Sequence, residues 1–296
     1  MKGKTKFLTL VLCLSVFALM AIGSGSDSSD LEDGKDIVST GSQDTVNKAN
    51  VTIEEKVILD KDGVVITAKE YVYDSIWGEG IKLLIENKSD KTLTVGCNAL
   101  IVNNYMISDL FVEEVAAGKK ANETLYLSSS ELQAAGIESV GQIEIYFHVY
   151  ESESYDDVIE SEHVTIQTSQ YANMDTTPND IGTELLNEKG IKVVGKTVDE
   201  NSFWGAGILL YCENKSGKNI RISVEEMSIN GFMINPFFSA GVYDGKMAID
   251  SITIFSSDLE ENDIEKIEEV ELKFKVYDED TYDTIIETEV IKFSAQ

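Results

Sequence analysis

The chain has 296 residues, which is enough for two domains of ordinary size. Its 53 acidic and 24 basic side chains give a formal net charge of −29, which argues against nucleic acid and anionic membrane surfaces as partners. Hydrophobic residues make up 43% of the chain, so it can bury a core, and wholesale disorder is excluded. Two histidines, three cysteines and one arginine leave little material for metal, nucleophile or phosphate chemistry.

The N-terminal segment has the layout of a secretory signal peptide. Closely spaced lysines precede an uncharged apolar stretch at 7–22, and small residues follow where a signal peptidase cuts. Lipidation is disfavoured, because Ile22 stands where a lipoprotein signal has cysteine. We predict a signal peptide at 1–23, with an uncleaved anchor as the alternative. The mature chain is then extracytoplasmic, secreted or envelope-associated without membrane insertion, and begins with a disordered acidic tether at 24–50.

Beyond the tether the chain repeats itself at an offset of 127 residues without insertions. The motif Trp-Gly-x-Gly-Ile occurs at 77–81 and 204–208, and Glu-Asn-Lys-Ser occurs at 86–89 and 213–216. A match of this length indicates a duplicated module. The predicted organisation is β-sandwich module 1 at 51–168, a polar linker at 169–183 and β-sandwich module 2 at 184–296.

Strand periodicity dominates both modules. Apolar residues alternate with polar ones over 143–149, which places Phe147 on a face that is also kept apolar around Phe274. Asn103-Asn104 and Asn230-Gly231 are tight hairpin signals. Further strand candidates in module 1, each with a counterpart in module 2, are 64–73, 80–87, 105–111, 122–128 and 157–166.

Only one short stretch per module, at 129–136 in module 1, has helical character, with serine before it and glycine at its end. Many short strands without a long helix predict an all-β fold of two tandem antiparallel β-sandwiches. The disulfide typical of immunoglobulin domains is missing, while a tryptophan at the start of a central strand occurs as Trp77 and Trp204.

Three repeated motifs carry a family resemblance: Trp-Gly-x-Gly-Ile, Glu-Asn-Lys-Ser-x-Lys, and Val-Tyr-x-x-x-x-Tyr-Asp. Together they resemble immunoglobulin-like modules that occur in tandem in secreted proteins and lipoproteins of Gram-positive bacteria. The resemblance implies an immunoglobulin-like fold and an extracytoplasmic location. Most such modules have no known function, so it implies no activity.

Residues for catalysis or metal binding are scarce. Cys97 and Cys212 align with apolar residues of the other module, which predicts inert core thiols without a disulfide. His148 and His163 have no His or Cys close by in sequence, so solvated or satisfied histidines are expected. We therefore predict no catalytic, cofactor-binding or metal-binding residues. The chain is expected to be a non-catalytic binding protein whose partner is an extracellular protein or a glycan.

Three alternatives stay open. A secreted enzyme acting on glycans could use two carboxylates that meet only in the fold. A Ca²⁺-stabilised spacer could use the acidic run at 278–283, although this run does not match an EF-hand and a solvated hairpin tip is favoured. The aromatic stretch at 232–238 could be a partner-binding patch, but the apolar counterparts in module 1 favour a core position.

The N-terminal analysis predicts a mature chain that starts at or near Ser24 and carries no lipid. Mass spectrometry of the protein purified from its native envelope measures this directly. A diacylglycerol adduct on Cys13, or retention of residues 1–23, would contradict the prediction.

Overall fold

The structure is a computed structural model that describes residues 51–202 and 205–294, without the side chains of 200–202. The predicted signal peptide at 1–23, the predicted tether at 24–50 and Trp204 lie outside the described residues. All described residues belong to one compact unit. Within them, no helix has both the length and the apolar character needed to cross a membrane.

Module 1 is built from short strands with one helix. Its elements are β1 (Lys56–Lys61), β2 (Val64–Asp74), β3 (Gly78–Asn87), β4 (Leu93–Val102), β5 (Tyr105–Ile107), β6 (Val112–Val115), β7 (Lys120–Tyr126), α1 (Ser129–Ala135), β8 (Gln142–Glu151) and β9 (Asp157–Gln167).

Module 2 repeats these elements in the same order. They are β10 (Thr183–Glu188), β11 (Ile191–Ser202), β12 (Gly205–Asn214), β13 (Ile220–Ile229), β14 (Phe232–Met233), β15 (Ser239–Val242), β16 (Met247–Phe255), α2 (Ser256–Glu261), β17 (Glu269–Asp278), β18 (Thr284–Glu287) and β19 (Ile291–Ser294). The elements of the two modules start at positions 127 residues apart, and β9 corresponds to β18 and β19 together. The duplication seen in the sequence is therefore a duplication of topology.

Each module packs two sheets around an apolar core, which confirms the predicted immunoglobulin-like β-sandwich fold. A four-stranded sheet, β1-β2-β3-β7, covers one side of module 1, and a six-stranded sheet built around β13 and β17 covers one side of module 2. Between them lies one nine-stranded sheet, which runs β10-β11-β12-β16-β5-β4-β8-β9 with β6 attached to β4. Both modules contribute strands to this central sheet.

The central sheet is continuous because β16 of module 2 pairs in parallel with β5 of module 1. Met247 N donates to the Asn104 carbonyl at 3.0 Å. Lys246 Nζ reaches across to Glu144 Oε1 at 2.6 Å, and both side chains are largely buried. The junction between the modules is therefore a sheet ladder reinforced by an ion pair.

The predicted linker is held against both modules. Asn179 N donates to the hydroxyl of Tyr105 at 2.8 Å, and Asn179 Nδ2 donates to the Ala134 carbonyl at 3.0 Å. On the module 2 side, Lys192 Nζ donates to Asp180 Oδ2 at 2.7 Å. These contacts add to the coupling that the shared sheet already provides.

The Glu-Asn-Lys-Ser motif has a structural explanation in its asparagine, which is buried in both modules. Asn87 Nδ2 donates to the carbonyls of Lys91 and Val115, and its Oδ1 accepts from the backbone N–H and hydroxyl of Ser89. Asn214 makes the same four bonds one repeat later. A buried amide that satisfies both its donors and its acceptor fixes a turn without leaving an unpaired polar group.

The predicted hairpin turns are present. Asn103 and Asn104 have φ of 47° and 76°, and Asn230 and Gly231 have φ of 50° and 87°, as a type I′ turn requires. Helix α1 ends on Gly136 at φ 76°, although the residue before the helix, Ser128, makes no side-chain capping bond.

Two strand predictions need correction. The candidate strand at 105–111 ends at Ile107, because the chain turns out of the sheet there, and a separate strand then runs over 112–115. The edge strand at 56–61 was not predicted, because most of its side chains are exposed and it lacks a clean alternation.

The core contains Phe147 and Phe274, both with no exposed surface, as predicted. Truncating either to alanine removes a large buried ring from a packed interior. We expect Phe147→Ala and Phe274→Ala each to lower the free energy of unfolding by about 3–5 kcal/mol, measured by urea denaturation. Val112→Ala, at a side chain that is 66% exposed, is the control and should cost under about 0.5 kcal/mol. Losses below about 1 kcal/mol for both phenylalanine variants would remove them from the core.

Candidate functional site

An apolar cleft opens at one end of module 1, between the segment 108–112 and strand β7. It encloses about 560 Å³, and its lining includes Trp77, Leu110, Val112 and Tyr126. The first three of these are large side chains left open to solvent, with exposed fractions of 58%, 95% and 66%. Exposed apolar groups grouped around a concave surface are typical of a binding site.

Trp77 is held at the cleft by the turn before β3. Asp74 Oδ1 accepts from the backbone N–H groups of Ile76 at 2.7 Å and Trp77 at 2.9 Å. These two bonds stabilise the carboxylate and lower the pKa of Asp74. The indole then lies beside Tyr126, with ring centroids 6.0 Å apart. The sequence predicted Trp77 at the start of a central strand. In the structure it directly precedes that strand, β3, and its side chain is exposed.

The cleft also exposes a strand edge. Directly after β7, Leu127 N donates to the carbonyl of Glu79 in β3. Because such bonds alternate along an antiparallel pair, the N–H and C=O of the preceding residue, Tyr126, point away from β3. They point towards the side where the segment 108–112 runs, and β7 is the last strand of its sheet. The cleft therefore offers backbone hydrogen-bonding groups beside an apolar pocket.

Module 2 closes the equivalent edge with its own chain. Phe237 N donates to the Thr253 carbonyl and Thr253 N donates to the Phe237 carbonyl, both at 2.9 Å. One repeat earlier the equivalent residues are Leu110 and Tyr126, and no such bridge joins them in the described structure. In module 1 the edge of β7 at Tyr126 is thus left unpaired by Leu110 within the described residues.

Two half-buried carboxylates shape the segment beside the cleft. Asp109 Oδ1 accepts from Phe111 N at 3.0 Å, and Glu131 Oε2 accepts from Ser108 N at 2.6 Å. Burial raises the pKa of both carboxyl groups. Because Asp109 and Glu123 line the cleft, its polar rim is acidic.

A third carboxylate with a raised pKa lies on β16, the strand against which α1 packs. Burial raises the pKa of Asp250 from 3.8 to about 6, and the charge of Glu131 contributes in the same direction. Asp250 Oδ1 accepts a bond from Ser251 N at 2.7 Å, which lowers the pKa by less than burial raises it. The ionised form of Asp250 is therefore poorly compensated.

The two cysteines of the described chain are free, which confirms the expectation that they form no disulfide. Cys212 is fully buried, whereas Cys97 is half-buried on β4. Burial raises the pKa of both thiols, so both are held in the neutral form. A neutral thiol is a poor nucleophile.

The histidines lie on the outer side of β8 and β9. His148 Nε2 is 2.8 Å from Asp157 Oδ1. His163 Nε2 is 3.2 Å from Glu144 Oε2, and its ring stacks on Tyr146 at 4.5 Å. Each is satisfied by a carboxylate, as expected of structural histidines. Across residues 51–202 and 205–294, no group of three or more His, Cys, Asp or Glu is placed to hold a metal ion.

The acidic run at 278–283 forms the tip between β17 and β18. Asp278 is buried, and its Oδ1 accepts from the backbone N–H groups of Asp280 at 3.0 Å and Thr281 at 3.2 Å. Lys218 Nζ donates to its other oxygen at 2.5 Å. The bond from Lys218 is the largest cause of the lowered pKa of Asp278. The carboxylate is thus used to fix a turn.

The aromatic stretch at 232–238 divides between core and surface. Ile234 and Phe238 are buried, as the repeated apolar pattern predicted. Phe232, Met233 and Phe237 are 48%, 68% and 68% exposed, so the core prediction is wrong for these three. Sequence comparison could not show this, because the module 1 equivalents of the first two, Tyr105 and Met106, lie at the interface with the neighbouring module.

No protein-family model and no curated protein matches the sequence. Among solved structures, the YadV chaperone aligns with a TM-score of 0.25 and 11% identity over 78% of this chain and 99% of that chain. The Salmonella enterica SafA pilin in complex with the SafB chaperone aligns with a TM-score of 0.24 and 11% identity over 78% and 95%. A protein of unknown function from Porphyromonas gingivalis W83 aligns with a TM-score of 0.21 and 9% identity over 73% of this chain and 89% of that chain. Similarity at this level assigns neither a family nor an activity.

The raised pKa of Asp250 predicts a pH-dependent stability. The folded state binds this proton more tightly than the unfolded state, so the favourable contribution is complete below pH 3.8 and is lost as pH rises through about 6. We expect Asp250→Asn to stabilise the protein, and the gain to grow by about 1 kcal/mol between pH 5 and pH 8.

Urea denaturation at the two pH values measures this difference. Asp90→Asn, which removes the same charge from an exposed position, is the matched control and should show no such growth. An Asp250→Asn gain that is equal at both pH values would contradict the prediction.

Proposed function

We propose that the chain is a non-catalytic extracytoplasmic binding protein that captures an extended peptide segment in the Trp77 cleft of module 1. The observation that carries this proposal is the open edge of β7 at Tyr126 beside three exposed apolar side chains. An extended peptide can add a strand to such an edge, where backbone bonds supply affinity and a pocket for a side chain supplies specificity.

Module 2 supports the choice of an extended peptide. There, the chain around Phe237 forms a two-bond bridge with the strand that corresponds to β7. An incoming segment would make the equivalent bonds to Tyr126 and place an apolar side chain against Trp77. A glycan would use the indole face but would leave the strand edge unpaired, so a peptide accounts for more of the site.

The charge of the site favours a basic flank on the ligand. Asp109 and Glu123 line the cleft, and the whole chain carries a formal net charge of −29. Opposite charge on the partner would raise the association rate and help to set the register of binding. The proposed ligand is therefore an extended segment with an apolar or aromatic side chain next to lysine or arginine.

A role without catalysis is supported by the state of the reactive groups. Both described thiols are neutral, and the two histidines are paired with carboxylates on the module surface. An acyl-transfer site needs an activated nucleophile with a base in reach. The extracytoplasmic setting and the kinship with tandem Gram-positive modules are part of the proposal, and the signal-like segment at 1–23 and the repeated motifs support them.

Fluorescence polarisation with a labelled synthetic peptide tests the proposal. The peptide carries residues 234–240 of this chain flanked by lysines, since this segment forms the equivalent bridge in module 2. We expect saturable binding to the full chain that Trp77→Ala weakens at least about tenfold, or roughly 1.4 kcal/mol. Tyr282→Ala removes an exposed aromatic side chain elsewhere and should leave the affinity unchanged.

Two outcomes would overturn the proposed function. The first is peptide binding that is identical in wild type and the Trp77→Ala variant. The second is turnover of cell-wall glycans that disappears when a single carboxylate such as Asp109 is changed to Asn, which would favour the glycan-hydrolase alternative.

A further inference from the structure

The contact between the two modules is a directional, head-to-tail interface. Strand β5 of module 1 offers its edge, and strand β16 of module 2 fills it. On the β5 side, Tyr105 is only 2% exposed and Met106 packs against the core of module 2. On the β16 side, Met247 and Ile249 are buried against the core of module 1.

Because the modules are duplicates, each side of this interface has a second copy in the chain. Strand β14 is the counterpart of β5, and within the described residues it pairs with β13 alone. The turn before it has the same left-handed conformation as the turn before β5, so Gly231 presents its carbonyl as Asn104 does. Phe232 and Met233 then stand 48% and 68% exposed where Tyr105 and Met106 are covered.

The carboxylate that forms the ion pair between the modules also has a counterpart in module 2. Glu144, which receives Lys246 of module 2, corresponds to Glu271. The Glu271 side chain is 37% exposed and is contacted by the exposed Lys292 at 3.1 Å. A lysine arriving beside β14 could therefore find a carboxylate in the equivalent place.

The chain's own counterpart of β16 is unsuited to fill the β14 edge. In β7, Lys120 and Asn122 replace Met247 and Ile249, and both are exposed. Ala116 likewise replaces Tyr243, whose ring packs against that of Tyr146 across the junction, with ring centroids 5.0 Å apart. Charged and polar side chains on an edge strand are a known protection against pairing between copies.

We propose that the β14 edge is an acceptor for the edge strand of another β-sandwich module whose chemistry matches β16. That strand carries a Gly-Lys pair followed by apolar, Ala and apolar residues, and it pairs in parallel with β14 as β16 pairs with β5. Lys120 and Asn122 keep the β7 edge of a second copy from occupying this acceptor. The site is separate from the Trp77 cleft and does not depend on the proposed function.

A graft of β16 residues onto β7 tests the acceptor directly. The variant Lys120→Met with Asn122→Ile gives the chain an edge that fits its own β14. We expect the wild type to sediment as a monomer and the double variant to form concentration-dependent head-to-tail oligomers. Analytical ultracentrifugation over a hundredfold range of concentration measures the difference.

A third substitution decides whether the oligomers form through β14. Met233→Lys in the grafted chain should restore the monomer, because it places a charge on the acceptor edge. Val57→Lys, at a side chain that is 56% exposed on the opposite edge of the fold's first sheet, is the matched control and should not restore it. A grafted chain that stays monomeric, or oligomers that survive Met233→Lys, would overturn the proposal.

If the double variant destabilises module 1, the single variants Lys120→Met and Asn122→Ile are tested in the same sedimentation experiment. Each changes one exposed position, and each should raise self-association by a smaller factor than the pair. Circular dichroism confirms that the variants remain folded before sedimentation.

Discussion

The need to pair or protect the edges of its sheets determines how the two modules of this chain contact each other. An edge strand carries free N–H and C=O groups that must be paired, hidden or protected by charge. The chain uses a different solution at each place: β16 pairs with β5, Phe237 closes the far end of β16, and lysine guards the start of β7. At Tyr126 and at β14 the outer edge has no strand partner within the described residues and no charged side chain of its own. Both of the surfaces that we assign to partners follow from these two exceptions.

The duplication is tolerated because each module fixes its own turns. Asn87 and Asn214 make identical sets of bonds, and so do Asn103 and Asn230, which bind the carbonyls of Ser139 and Lys266 respectively. Such local networks do not depend on the neighbouring module, so both copies reach the same fold. The contacts between modules are then free to differ, which allows one copy to cover an edge that the other leaves open.

Most of the fold could be predicted from the sequence, whereas most of the site could not. Alternation around Phe147, the turn residues and the fixed offset are local signals, and they identified the sandwich and its duplication. The parallel pairing of β5 with β16 joins residues far apart in the chain and has no local signal. For that reason Phe232 and Met233 looked like core: their counterparts Tyr105 and Met106 are apolar because a second module covers them. The cleft could not be predicted for a similar reason. Leu110 and Phe237 are both apolar, and the sequence does not show that the backbone of Phe237 alone bonds to the neighbouring strand.

Differences between the copies carry the functional information that the similarities lack. A head-to-tail contact that every copy repeats builds an open filament, unless its rotation closes a ring. Met247 against Lys120 and Ile249 against Asn122 break that repetition on one side only. If self-association were the purpose, both sides would keep the apolar residues. An apolar β14 edge together with a charged and polar β7 edge is the asymmetry that the proposed acceptor role requires.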